Sequence, residues 1–275
     1  MASYRLPGNF VRGLCMEIQG KVVLITGASE GIGAACAAEF SRQGAQLSLL
    51  ARREDLLRRV GGDKAVITPG DVTQEADRRR AVEATLHRYG RIDILINNAG
   101  VGLYAPSWKA PFDSVRRMYE VNFFAALGMI QLVVPHMRQQ RTGMIVNVSS
   151  IAGKVTLPWL TLYSASKHAL SSLTQGLRME LKRDGIHVML VCPGYVSTRF
   201  QQNILVGQVP GSVQSSKRFR ITPEECAAAI ADGVERQKRT VLTPRTGWLF
   251  VLLARLFPKW VDSTLEQMYW RGEQA

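Results

Sequence analysis

The chain has 275 residues, 46% of them hydrophobic, enough to bury one large core. Its formal net charge of +13 favours anionic partners, yet no helix-turn-helix, finger or aromatic RNA-binding signature accompanies it, which argues against nucleic acid. The longest uninterrupted apolar run, residues 247–254, is far shorter than the ~20 residues that span a bilayer.

No linker or repeat divides the chain, so a single α/β domain is expected over residues 16–243, with an extension over 244–275. Residues 1–15 precede Met16-Glu17-Ile18-Gln19-Gly20-Lys21, a natural start for such a domain, and read as a flexible extension or a mis-assigned start. Without a compact apolar core and cleavage site at the N-terminus, cytoplasmic residence is the expectation. Cys15, Cys36, Cys192 and Cys226 lack any Cys-x-x-Cys spacing, and the histidines are dispersed, so reduced thiols and no metal are expected.

In chain order, residues 21–26 predict a buried strand and Gly31 opens an alanine-rich helix. Further strands are expected at 46–51, 65–68, 92–96, 143–148 and 187–191, and helices at 74–88, 114–139 and 162–183. Strands alternating with helices require right-handed crossovers and a parallel sheet covered on both faces. The product is a doubly wound, Rossmann-type sheet with its ligands outside the carboxyl ends of the strands. Beyond it, residues 245–271 are too apolar to remain solvated, and Pro258 should split them into two short helices. The segment, whose tryptophans neighbour Arg255 and Lys259, is expected to pack over a lipophilic substrate mouth; an oligomer contact and a membrane-surface contact are the competing readings.

Glycines 27, 31 and 33 follow the first strand in a Gly-x-x-x-Gly-x-Gly turn that includes Ser29 and Ile32. Gly27 can take a strained backbone, while Gly31 and Gly33 let a pyrophosphate approach a helix N-terminus. A carboxylate at the end of the second strand would favour NAD. Arg52 and Arg53 stand there instead, opposing the next helix's dipole. A 2′-phosphate explains them, pointing to NADP(H). The competing reading is a solvated basic patch running on to Arg58 and Arg59.

Tyr163 and Lys167 stand four apart in Tyr-Ser-Ala-Ser-Lys and therefore share a helix face. At ~4 Å and an effective dielectric of ~20, the ammonium favours a phenolate by ~4 kcal/mol. That would draw a tyrosine pKa from ~10 towards ~7, which suits proton exchange with an alcohol or carbonyl.

The glycine turn, Asn97-Asn98-Ala99-Gly100, Asn122, Ser149-Ser150, the Tyr163/Lys167 pair and Pro193-Gly194 follow in order. From about Gly20 to about Thr198 the chain strongly resembles the short-chain dehydrogenase/reductase family. The resemblance implies that Ser150 holds the substrate oxygen and that Tyr163 exchanges the proton. Lys167 would lower the tyrosine pKa and bind the nicotinamide ribose, and Asn122 would hold a water of the proton relay. Ser149 is the neighbouring candidate for Ser150, but the thirteen-residue spacing to Tyr163 selects the latter. The resemblance also implies that Asp71 and Val72 border the adenine and that Asn98 to Gly100 line the adenosine ribose and support the sheet. Val196 and Thr198 would contact the nicotinamide carboxamide. Asp71 also reads as a strand-end turn residue and Thr198 as a helix cap.

Tyr195, Trp159, Leu160 and residues 101–111 and 200–221 should wall the pocket, and their mix favours a lipophilic carbonyl. The expected activity is an NADPH-dependent carbonyl reductase acting on a small-molecule ketone or secondary alcohol. A 3-oxoacyl-thioester reductase meeting an acidic carrier protein is the alternative, and a non-catalytic NADP-binding regulator is the rival of another class. Relatives pair through the helices bearing Asn122 and Tyr163, so a homodimer or homotetramer is expected.

Overall fold

The computed structural model describes residues 16–207 and 220–273; residues 1–15 and part of the expected pocket wall, 208–219, lie outside them. Seven parallel strands form the central sheet: β1 (Val22–Thr26), β2 (Gln46–Ala51), β3 (Val66–Pro69), β4 (Ile94–Asn97), β5 (Gly143–Val148), β6 (Ile186–Pro193) and β9 (Thr240–Thr243). Their order is β3-β2-β1-β4-β5-β6-β9. A two-stranded parallel pair, β7 (Tyr195–Val196) and β8 (Arg220–Ile221), stands apart from it. Every residue of β1, β4 and β5 is buried, as expected for strands covered on both faces.

One face carries α1 (Gly31–Arg42) and α7 (Pro223–Glu235), which pack Cys36, Phe40, Ile230 and Val234 against Val23, Ile25 and Val146. The other carries α3 (Glu75–Tyr89), α5 (Ala125–Gln140) and α6 (Thr161–Glu180), which bury Val82, Met129, Val133 and Leu177 against Leu24, Leu95 and Ile145. Short α2 (Glu54–Gly61) follows β2. The strand order reverses between β1 and β4, and this opens a crevice at the carboxyl ends of the strands.

The expected helix over 114–139 is a continuous helical run, Phe112–Gln140, of 29 residues. It comprises α4 (Phe112–Tyr119), a π-helical turn at Glu120–Phe124 and α5. By length and composition it is the one helix among the described residues that could cross a bilayer, but 44% of its apolar window is buried inside the protein. It packs on the sheet as a core helix.

The C-terminal segment forms two helices, as Pro258 predicts, with the break at Phe257. They are α8 (Gly247–Leu256) and α9 (Pro258–Glu273). Val251, Val261, Leu265 and Tyr269 bury one side of the pair against Tyr104, Val155, Leu242, Trp159 and Leu160. Strand β9 was not expected: at four residues it is too short to show a period, and only its pairing with β6 identifies it.

Candidate active site

The glycine turn sits where β1 feeds α1. Gly27 (φ 64°) and Gly31 (φ 58°) occupy the left-handed region, which glycine enters without a Cβ penalty. A Cβ on Gly33 would lie 2.3 Å from the Gly27 carbonyl oxygen, so only hydrogen fits. Asn98 secures the turn from β4, its Nδ2 donating to the carbonyls of Thr26 (3.0 Å) and Gly27 (3.1 Å). The Thr26 hydroxyl accepts from the amides of Asn98 and Ala99. Asn98 therefore acts as a brace from this side chain, and Thr26 is a support that its neutral strand-end position concealed.

At the start of α1, Glu30 takes the cap position without a side-chain cap bond, and the first turn holds no acidic residue. Backbone amides beside a glycine cradle suit a pyrophosphate, so the turn with Ser29 and Ile32 fits a dinucleotide.

At the end of β2, Arg52 is exposed, while the Arg53 guanidinium lies 2.7 Å from the Glu30 carboxylate and donates to the Ser29 hydroxyl at 3.3 Å. The same Glu30 oxygen accepts from Asn203 Nδ2 at 2.9 Å. Glu30 thus links the glycine turn, the arginine pair and the turn at Arg199–Asn203. The sequence reading passed over Glu30, although an acid inside a glycine turn beside two arginines was a visible signal.

Asp71 is tied on both oxygens. Its Oδ1 accepts from the Thr73 amide and hydroxyl, and Oδ2 accepts from Arg117 at 2.5 Å. Burial raises its pKa, but the bonds from Thr73 and Arg117 outweigh this and hold the carboxyl below its ordinary value. The turn-residue reading of Asp71 therefore describes its side chain, and Val72 follows with its carbonyl accepting from Arg78. Thr198 stands over Gly31, 3.2 Å from where a Cβ would be, and its hydroxyl accepts from the Phe200 amide as a cap. Val196 lies beside it on β7.

Asn122 is buried inside the π-turn. Its Oδ1 accepts from the Val101 amide (2.9 Å), and its Nδ2 donates to the Val101 carbonyl and the Ser166 hydroxyl (3.0 Å each). A π-turn widens the helix and is frequent at functional sites. A methyl on Gly100 would stand 3.3 Å from both Asn122 Oδ1 and Lys167 Nζ, so the two groups converge there.

Ser150 caps the short turn Ile151–Gly153, its hydroxyl accepting from the Ala152 amide at 3.1 Å, and it stands near enough to the Tyr163 phenol to lower its pKa. Ser149 points the other way, donating to the Lys167 carbonyl within reach of Ser171.

One expectation needs correction. Lys167 is not hydrogen-bonded to the phenol: its Nζ donates to the Val148 carbonyl at 3.1 Å and stands 5.8 Å from the centre of the Tyr163 ring. Burial pushes Tyr163 up to about 12, and Ser150 only partly offsets it. Burial likewise pulls Lys167 down to about 8, partly opposed by Cys192. Four-residue spacing shares a face but does not fix how deep each group sits.

Around Tyr163 lie Leu103, Ala105, Leu157, Leu160 and Phe200, with the Phe200 ring centroid 5.9 Å from that of the tyrosine. Trp159 stacks on Tyr269 of α9 at 5.9 Å between centroids and 3° between planes. Its positive φ of 56° is uncommon for a bulky residue and a mark of local strain. Tyr195 stands on β7 under the Arg220 guanidinium.

A family model described as short chain dehydrogenase matches residues 21–208. A dehydrogenase/reductase SDR family protein 7-like of Anopheles gambiae is 33% identical over 93% of this chain and 89% of its own. An 11-beta-hydroxysteroid dehydrogenase-like 2 of Arabidopsis thaliana is also 33% identical, over 92% of this chain and 83% of its own. Among solved structures, a short chain dehydrogenase/reductase from Burkholderia phymatum in complex with NAD superposes with a TM-score of 0.80 at 26% identity, covering 87% of this chain and 94% of that one. One from Burkholderia cenocepacia J2315 in complex with NADP gives 0.77 at 28%, covering 91% and 99%. With a family model over residues 21–208 and relatives 33% identical over more than nine-tenths of its length, the chain belongs to the short-chain dehydrogenase/reductase family of oxidoreductases.

Proposed function

We propose that this protein is an NADPH-dependent reductase of lipophilic ketones, working in reverse on the corresponding secondary alcohols. The observation that carries the reading is the buried Tyr163 phenol, with Ser150 beside it, set in an apolar wall of Leu103, Leu157, Leu160 and Phe200. The nicotinamide supplies or accepts the hydride. Ser150 holds the substrate oxygen, and the Tyr163 phenol delivers its proton to that oxygen in reduction and removes it in oxidation. The phenol's raised pKa keeps it protonated at neutral pH, the form a reductase needs from its acid. Lys167, still mostly protonated at neutral pH, sets a buried positive charge behind the developing phenolate. Asn122 fixes the loop entering at Val101.

The apolar wall and the steroid dehydrogenase name of the Arabidopsis relative support a bulky carbonyl. Arg52 and Arg53 support the 2′-phosphate, with Arg53 held ready at the glycine turn. The alternative, a 3-oxoacyl-thioester reductase, fits the closed side formed by α8 and α9 less well, because a carrier-bound chain needs an open approach. A screen of lipophilic ketones, following nicotinamide absorbance with NADPH and NADH in parallel, tests the reading. Turnover confined to small thioesters, or equal use of the two nucleotides, counts against it.

A further inference from the structure

The outer side of α8 and of the start of α9 is apolar and faces away from the protein. Trp248, Leu249, Leu252, Leu256, Phe257 and Trp260 are each between 46% and 62% exposed. On α8 they recur at 248, 249, 252 and 256, an arc of about 100° on the helix that leaves out the inward Val251. Phe257 and Trp260 carry the stripe across the break into α9. Six large side chains in one ridge exceed what scattered surface apolarity accounts for.

Charge identifies the occupant. Residues 244–261 contain Arg245, Arg255 and Lys259, all exposed, and no acidic residue. Asp262 and Glu266 follow on α9, roughly 160° and 120° round the helix from Trp260. An apolar ridge with tryptophans, rimmed by cations on a chain of net charge +13, matches a surface that is apolar beneath and anionic at its headgroups. A second copy of this chain would bring the same cations against themselves.

We infer that the outer face of α8–α9 docks on anionic lipid membranes, lying in the headgroup layer without crossing it. The inner face of the same helices packs on Leu160, which also belongs to the apolar wall around Tyr163. Docking would thus set the lipid surface and the substrate wall on opposite sides of one helical layer.

The test is co-sedimentation of the full chain with vesicles of phosphatidylserine and phosphatidylcholine in equal parts, and with phosphatidylcholine alone, at low salt. Wild type should sediment with the first and hardly with the second. Arg255→Gln/Lys259→Gln should weaken binding to the anionic vesicles about 25-fold, at about fivefold per cation. Trp248→Ser/Leu252→Ser/Trp260→Ser should abolish it. Each variant must keep the wild-type melting temperature, and sedimentation velocity is run beside it. Wild type that stays in solution with anionic vesicles overturns the proposal. So does a serine variant that still sediments, or one that changes only the oligomeric state, which would make the ridge an interface between copies.

Discussion

Glu30 and Arg53 decide, at the scale of single residues, how the arginine pair meets a nucleotide. A carboxylate and a 2′-phosphate compete for one guanidinium, and the two anions repel each other. Glu30→Gln is therefore expected to tighten NADPH and leave NADH nearly unchanged. The pair is partly exposed, so the gain should be at most about fivefold. Fluorescence titration of both nucleotides measures it, and weaker NADPH binding would show that Glu30 orients Arg53 for the phosphate. Lys167 yields a second expectation. Its pKa falls from 10.5 to about 8 in the fold, so between those values the unfolded chain holds a proton that the native lysine has lost. Stability then rises with pH across that window, and the charged form is destabilising below it. At ~1.4 kcal/mol per pKa unit the cost is ~3 kcal/mol at neutral pH. Lys167→Met should be more stable than wild type by that order at pH 7, and the gap should close as pH approaches 10.5. Urea denaturation of the nucleotide-free proteins across this range checks it, and a gap independent of pH refutes it. A gap that closes with pH would fit a lysine whose position serves chemistry at the expense of stability. The placement of Tyr163 and Lys167 on one helix and of Ser150 at a strand end was readable from their spacing in sequence. The depth of Lys167 and the bracing of Asn98 were not, since both depend on what other strands bring alongside.

Among the elements, the strands of the sheet centre were legible because burial on both faces makes them continuous apolar runs, and 143–148 matches β5 residue for residue. The π-turn at Asn122 was not. It preserves the helical period on either side, and its cause is tertiary: the Asn122 side chain is fastened to Val101 and Ser166. Helix α9 is held by a narrow buried stripe of Val261, Leu265 and Tyr269, so one residue tests its contribution. Tyr269→Ala removes the stack on Trp159 and should cost about 3–5 kcal/mol. The KM for lipophilic ketones should rise several-fold while the NADPH dissociation constant holds. Steady-state kinetics beside nucleotide titration separates the two, and parallel loss of both would assign α9 to general stability only.

At the scale of the whole molecule, the reversal of strand order between β1 and β4 gathers groups from distant parts of the chain at one edge. The glycine turn, Asn122, Ser150 and the α6 pair converge there, while α8 and α9 close the neighbouring side. That parallel architecture was legible from the alternation of elements, and the inward packing of the extension was the favoured expectation; its particular contact with Trp159 was not legible, because an apolar run does not name its partner. The central claim is that the Tyr163 phenol transfers the proton at this edge. Its most direct test is the turnover of Tyr163→Phe against wild type on the best lipophilic ketone, at saturating NADPH. The account predicts a loss of at least ~100-fold with nucleotide binding intact, and activity within a few-fold of wild type would contradict it.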